Sequence, residues 1–375
     1  MKIEAISIRE LRMRLKHPFE TSFGSTQDRH ILLVEVYSDG LTGYGEITVG
    51  MGPYYNPETT GTSWHIFCDY LAPLVIGHEI PSPEEIPALL NAIRGHEMTK
   101  AAFENAVWDI AAQRECIPLA SLLGGTRKEI PCGVSLGIKQ HIEDLLADVQ
   151  RELAAGYQRV KVKIKPGKDF EVAAAIRQRF PGVKLMVDAN SAYTLRDADH
   201  LRRFDELDLL MIEQPLEWDE IYAHAKLQAH LATPICLDEC IHNLRQTEAA
   251  LDLQACRIIN VKLGRVGGHS SARSIAAHCA ARSIPVWCGG MLESGVGRAH
   301  NIAMSSLPAF TLPGDVSASQ RYWDEDIIDP EVEVSSAGMI RVPARPGLGY
   351  RVRRDRVESL TVRLQTFRAS ALSAA

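Results

Sequence analysis

The chain is 375 residues long, 46% hydrophobic and 23% charged, a globular balance that excludes a disordered, collagen-like or coiled-coil protein. At roughly 100 to 200 residues per domain, this length suggests two or three domains, or one large barrel with an appendage. Lysine and arginine total 41 against 47 acidic residues, a net charge of −6, so no basic face marks a nucleic-acid partner.

The start, MKIEAISIREL, alternates apolar and charged residues, and no stretch reaches the 18 or so apolar residues that span a bilayer. The expected location is cytoplasmic, with no membrane partner. Eight cysteines are scattered without a CxxC pair. Cys236 and Cys240 form only a CxxxC with no second pair to complete a zinc site, so they read as buried thiols.

In chain order, IEAISI alternates like a strand, and ILLVEVYSDGLTGYGEI places a DG turn between two alternating arms, a hairpin signature. Residues 64–77 and 98–115 turn helical, the second with Ala102, Ala106, Val107, Ile110 and Ala111 on one stripe. Residues 1–125 therefore read as a separate α+β unit.

From Ile130 short β-branched runs alternate with amphipathic segments of helical length. HIEDLLADVQRELAAG puts Ile142, Leu145, Leu146, Val149 and Leu153 on one face and stops at Gly156. Candidate strands follow at VSLG, RVKVKI, KLMVD, LLMIE, PICLD, RIINVK, IPVWC and FTLPG. Eight near-continuous apolar strands with intervening helices predict an α/β fold, a closed TIM-like barrel over 126–319. The alternation ends after Ser319, and in the remaining segment, 320–375, the patch SSAGMIRVPARPGLGYRV is expected to return to the N-terminal unit.

The informative charges fall near the ends of successive strands. Lys163, Asp188, Glu213, Asp238 and Lys262 follow one another at steps of 25, 25, 25 and 24 residues, the length of one strand, one helix and two loops, so they occupy equivalent places on one rim. Strand parity sets them opposite the apolar residues: Val160, Val162 and Ile164 against Lys161, Lys163 and Lys165; Leu185 and Val187 against Asp188; Leu210 and Ile212 against Glu213; Ile235 and Leu237 against Asp238; Ile259 and Val261 against Lys262. If the apolar parity faces the helices, the five charges enter the barrel mouth. Taken singly, each has a plainer explanation, KVKIKP as a solvated antiparallel strand and each carboxylate as a helix cap; their common interval favours a shared site.

Three clustered carboxylates repel one another unless a cation neutralises them. Oxygen ligands select a hard divalent ion, Mg²⁺ first and Mn²⁺ as the alternative. With Lys161 and a dication nearby, the free-amine form of Lys163 becomes accessible as a general base. The predicted chemistry is removal of the α-proton of a small-molecule carboxylate, with the resulting enediolate stabilised electrostatically.

A lysine base with Mg²⁺ is the general description of enolase-superfamily sites. KVKIKP, VDANSAY, IEQPL, CLDEC, NVKLGRVGG, VWCGGMLESGVGRA and TLPGDVSAS together resemble the muconate-cycloisomerase branch of that superfamily, and more narrowly its o-succinylbenzoate synthase / N-succinylamino acid racemase family. The similarity covers nearly the whole chain. It implies a (β/α)7β barrel closed by an α+β cap built from both chain ends, and a lyase of menaquinone biosynthesis, a racemase, or both. It implies Asp188, Glu213 and Asp238 as Mg²⁺ ligands and Lys163 and Lys262 as acid/base residues. Lys161, Asn190, Glu239 and Arg265 match supporting positions, though Arg265 is equally readable as a surface residue starting a helix. Ser135 and the loop Gly289, Gly290, Met291 and Glu293 match substrate contacts; from the cap, the segment 18–24 with Phe23 and the loop 52–58 with Tyr55 are expected to cover the substrate's apolar part. Relatives of this kind are often homo-oligomers.

Other readings remain in view. GRVGG and GGMLESGVG invite a phosphate cradle, yet neither fits a P-loop, and glycine clusters are mostly turns. None of the 13 histidines pairs with an aspartate as mandelate-racemase relatives require. Dipeptide epimerases typically carry DxD after the eighth strand, where this chain has Asp315 alone in GDVSAS; muconate cycloisomerase is a second rival. Outside the family stand a metal-free Schiff-base aldolase and a barrel kept only for binding.

Overall fold

The computed structural model describes residues 1–369. A four-stranded antiparallel sheet is built from both chain ends. β1 (Ala5–Thr21), β2 (Gly24–Ser38) and β3 (Leu41–Ile47) form the meander expected from the sequence. The DG turn is present, with Asp39 and Gly40 at φ of 53° and 74°, the left-handed pair that matches strand twist in a two-residue hairpin. β1 and β2 are much longer than the alternating patches alone suggested, so the PFETSFG segment becomes the tip of their hairpin, with Thr21 opposite Gly24.

The first predicted helix is present but broken: Thr60–Ile66 and Ala72–Val75 are α-helical and joined by a π-helical turn at Phe67–Leu71. The second runs from Glu97 to Arg114 and is buried on nearly every side, whereas the sequence suggested a single apolar stripe. The cause is its position: Ala102, Ala106 and Ile110 pack in the core under the cap sheet, while Trp108 and Ala112 belong to the barrel's core. Gly43 and Gly45 permit the close approach on the sheet side, since a Cβ there would lie 2.0 Å from Ala106 O and 1.9 Å from Ala102 O.

After β4 (Glu129–Pro131), seven parallel strands stand side by side in chain order: β5 (Gly133–Leu136), β6 (Arg159–Lys163), β7 (Leu185–Asp188), β8 (Ile212–Glu213), β9 (Ile235–Leu237), β10 (Ile258–Val261) and β11 (Val286–Cys288). The predicted eighth strand closes the barrel as separate bridges, Val286 to Phe310 and Cys132 to Gly314. Asp315 N donates to Cys288 O and Gly133 N to Gly314 O, both at 2.8 Å. Pro313 lacks the N–H that a regular ladder would use here. The fold is thus an α/β barrel of the (β/α)7β kind with a cap sheet built from both ends.

Parity works as read except at Leu210, which packs against the interior apolar layer. Val160, Val162, Leu185, Val187, Ile212, Ile235, Leu237, Ile259 and Val261 join the core between strands and helices. The barrel interior is floored by a smaller apolar layer of Met186, Met211, Cys236, Ile258 and Trp287, beneath the charged layer.

The tail meets the expectation in part: Gly347 bridges Pro118, with Leu119 N donating to Gly347 O at 2.8 Å, so the second half of the patch returns to the N-terminal unit while the first half pairs elsewhere. β12 (Ile328–Asp329) pairs with β14 (Arg351–Val352), and β13 (Met339–Arg341) pairs with β4 at the entry to the barrel. The SSAGMIRV patch therefore does not join the cap sheet; β15 (Thr361–Arg368) does, alongside β1 from Ala5↔Arg368 to Leu11↔Thr361. Alternation alone cannot tell which edge a short strand will find.

Two cap carboxylates terminate barrel helices. Glu104 accepts from His269 N, Ser270 N and Ser270 Oγ at the start of the helix His269–Ala281. Glu46, on β3, accepts from Ser294 N, Ser294 Oγ and Gly297 N at the start of the helix Gly295–Ser305. Each meets donors that have no partner within their own helix.

Candidate active site

The five evenly spaced charges all reach the interior at the C-terminal ends of β6 to β10 and are buried. In register, Lys163 sits opposite Asp188, and Asp188 opposite Glu213. Lys163 Nζ donates to Asp188 Oδ2 at 2.6 Å and to Asn190 Oδ1 at 2.7 Å. Lys161 lies between two acids, 3.2 Å from Asp188 Oδ2 and 2.9 Å from Glu213 Oε2. On the far side Lys262 Nζ contacts Asp238 Oδ2 at 2.8 Å and Tyr55 Oη at 3.0 Å. Tyr55 Oη in turn donates to Asp238 Oδ1 at 3.1 Å.

The supporting residues take definite places. Asn190 Nδ2 donates to Glu239 Oε1 at 2.9 Å, leaving Glu239 Oε2 buried without a partner. Arg265 is not a surface residue: its guanidinium is buried against Asp238 and donates to Ile241 O at 2.7 Å and Tyr55 Oη at 3.1 Å. Ser135 is buried, its Oγ without a partner and its carbonyl accepting from Arg321 at 2.8 Å.

Electrostatics separate the two lysines. Burial and then the neighbouring Lys161 push Lys163 below its ordinary pKa, against the pull of Asp188. Lys262 is equally desolvated, but Tyr55, Glu239 and Glu213 outweigh that and hold its ammonium above the ordinary value. Burial and the charge of Asp188 raise Glu239 to about 7. Asp188 itself is held low, since Lys163 and Lys161 overcome its desolvation.

The acids suit a hard divalent cation in chemistry: carboxylate oxygens only, on the ends of three adjacent strands, with an orphaned Glu239 oxygen nearby. Two of them already share one cation, the Lys161 ammonium. Asp238 is turned instead to Lys262 and Arg265. As placed, no three acidic, histidine or cysteine side chains among the described residues converge closely enough to hold a metal.

Above this layer lies a cleft of about 510 Å³, lined by Lys163, Asn190 and Lys262 from the barrel, Phe23 and Arg29 from the hairpin, Tyr55 from the second cap loop, and Gly290 and Met291 from the loop after β11. Gly289 sits below it, where a Cβ would lie 2.3 Å from Asn260 Oδ1. Glu293 braces the loop from behind, accepting from Met291 N at 2.7 Å and Asn301 Nδ2 at 2.9 Å. A larger groove of about 660 Å³ on the hairpin's other side, between Leu15–Glu20 and Arg321, contains none of the predicted acids or lysines; the chemistry favours the smaller cleft.

Some neighbours of the charged layer were not placed there from the sequence. Asp315 holds Lys161 at 2.6 Å and Arg159 at 2.7 Å. Asn260 donates to Glu213 Oε1 at 2.6 Å. Arg159 and Asn260 each stand two residues before a site lysine on the same strand face, a signal that parity contained. The placement of Asp315 depended on the closing segment, which no interval reveals. All eight cysteines are free thiols, and among the described residues no helix is long and apolar enough to cross a membrane.

Comparison with known proteins agrees with this geometry. Residues 2–124 match the mandelate racemase / muconate lactonizing enzyme N-terminal domain, and residues 144–356 match the enolase C-terminal domain-like family. An o-succinylbenzoate synthase of Geobacillus stearothermophilus is 52% identical over 99% of both chains. An N-succinylamino acid racemase of Thermus thermophilus is 44% identical, covering 96% of this chain and 98% of that one. The crystal structure of an enolase-superfamily member from Listeria innocua superposes with a TM-score of 0.95 at 42% identity, over 98% of this chain and all of that one. With both family domains matched and full-length relatives this similar, the chain belongs to the mandelate racemase / muconate lactonizing enzyme group of the enolase superfamily.

Proposed function

We propose that this protein is a divalent-metal-dependent enzyme that removes the α-proton of a small-molecule carboxylate, acting as an o-succinylbenzoate synthase, an N-succinylamino acid racemase, or both. The observation that carries the reading is the pair Lys163 and Lys262, which line one cleft from opposite sides of the acid cluster with their pKa values displaced in opposite directions. Relatives bearing each of the two names match this chain end to end.

Asp188, Glu213 and Asp238 would hold the metal, Mg²⁺ or Mn²⁺. When bound, it supplies positive charge that acidifies the α-proton of the coordinated carboxylate and steadies the negative charge that develops.

Lys163, the more easily deprotonated amine, takes the α-proton; Asn190 and Asp188 orient it through the contacts at 2.7 and 2.6 Å. In racemisation Lys262 returns a proton to the opposite face, and the reverse direction exchanges the two roles. In the dehydration, Lys163 passes its proton to the departing hydroxyl on the same face, water leaves, and Lys262 stays protonated as a stabilising charge. The hairpin tip and the loop carrying Tyr55 cover the substrate and exclude water. A cytoplasmic location and a homo-oligomeric assembly belong to this same proposal.

Lys163→Ala is expected to abolish both activities. Lys262→Ala is expected to abolish racemisation and to cut dehydration about 100- to 1,000-fold, the usual cost of one stabilising charge. Chiral chromatography of an N-succinylamino acid and ultraviolet detection of o-succinylbenzoate measure the two. Substantial racemisation by Lys163→Ala would overturn the assignment.

A further inference from the structure

Arg29 on β2 lines the cleft that contains Lys163 and Lys262. It is only 7% exposed, yet the described residues give its guanidinium a single hydrogen bond, Nη2 to Met291 O at 3.2 Å. Its Nε is buried without a partner. A guanidinium has five N–H donors in a fixed fork, and burying one without a paired anion is costly.

The nearby acids do not meet that need. Glu46 and Glu293 act on Arg29 only through longer-range attraction. Glu46 has both oxygens engaged by Ser294 and Gly297, Glu293 gives Oε1 to Met291 and Asn301, and among the described residues neither acid is hydrogen-bonded to Arg29, whose single bond goes to Met291 O. Asp28, the one acid that lines the cleft, is paired with Arg14 at 3.0 Å. The cleft therefore has a cap-side cation with donors to spare, separate from the lysines of the barrel.

We propose that Arg29 receives a second, remote carboxylate of the substrate, so that the site selects dicarboxylates: one carboxylate at the acid cluster and the other on the Arg29 fork. The geometry suits a carboxylate, which a guanidinium can grip with two parallel hydrogen bonds. This rests on the reaction proposed above and deepens it, because a succinyl group supplies such a remote carboxylate in either reaction.

The test compares the N-succinyl and N-acetyl forms of one amino acid, which differ in that remote charge, on the Mg²⁺-loaded wild type, Arg29→Met and Arg29→Lys. Calorimetric Kd and steady-state KM are both read. Arg29→Met is expected to weaken the N-succinyl compound about 10- to 100-fold more than the N-acetyl compound, the range of a lost charge-assisted contact; Arg29→Lys should recover part of the difference. Equal weakening of both compounds in variants that melt like the wild type would overturn the proposal and leave Arg29 as a brace for the Met291 loop. Should Arg29→Met fail to fold, the Arg29→Lys comparison decides by the same ratio. Wild-type protein that turns over neither compound would refute the racemase half of the proposed reaction, while the binding ratio would still decide the role of Arg29.

Discussion

Asp315 offers the most exacting test of how the charged layer is held. Its carboxylate joins Arg159 at 2.7 Å and Lys161 at 2.6 Å, and all three side chains are buried. Arg159 Nη1 already lacks a partner, so after Asp315→Asn the guanidinium would retain only Pro313 O, at 3.0 Å, as a hydrogen-bond acceptor apart from the new amide. At an effective dielectric near 20, each contact is worth about 4 kcal/mol for charge centres about 4 Å apart. The amide keeps some hydrogen bonding, and removing one partner of a buried ion pair typically costs about 3–5 kcal/mol. Urea unfolding of the metal-free protein, followed by circular dichroism, should show that loss with an unchanged slope. Adding Arg159→Met should give a smaller loss than the two single changes summed, because the stranded cation is gone. A loss below about 1 kcal/mol would refute the view that this triad is tightly coupled.

Chelation by EDTA should abolish turnover, and added Mg²⁺ should restore it; activity unchanged after dialysis would remove the metal from the mechanism. As the proposed base Lys163 would work as the neutral amine, and burial with Lys161 nearby holds it below its ordinary 10.5. As pH rises the base loses its proton, so kcat/KM should climb and level off below that value; a rising limb at or above it would contradict the assignment. Gly45→Ala would drive a Cβ to 1.9 Å from Ala102 O. It should destabilise the protein by about 1–3 kcal/mol in thermal unfolding, and a neutral result would show that cap sheet and helix separate easily.

The chemistry was legible because the barrel repeats. One strand–helix unit recurs every 24 or 25 residues, and period-two parity separates Val162 from Lys163 or Ile212 from Glu213, so the charged rim could be placed without a structure. What escaped depends on distant pieces meeting. Tyr55 reaches Lys262 across 207 positions, and Asp315 reaches Lys161 only because residues 310–315 close the barrel. The helix Glu97–Arg114 lacks a clean stripe because two cores share it. Pro313 in FTLPG was a readable sign that the eighth strand would be irregular, whereas the Met339–Arg341 patch offered no hint that its partner is Glu129–Pro131. Arg265 was ambiguous because the amino-acid pattern of a helix start does not reveal whether its side chain turns inward.

The carboxylates of Glu46 and Glu104 restrict how the molecule can breathe. Each serves as the terminal partner of a barrel helix while being anchored in the other unit, so swinging the whole lid aside would strip both helix ends of charge-assisted bonds at about 1.5–3 kcal/mol apiece. Admission of substrate is cheaper if only the fingertips move: the Thr21–Gly24 turn, whose Phe23 is 41% exposed, and the stretch around Met51 and Tyr54, exposed at 59% and 73%. The shoulder is latched, and traffic falls to the fingers.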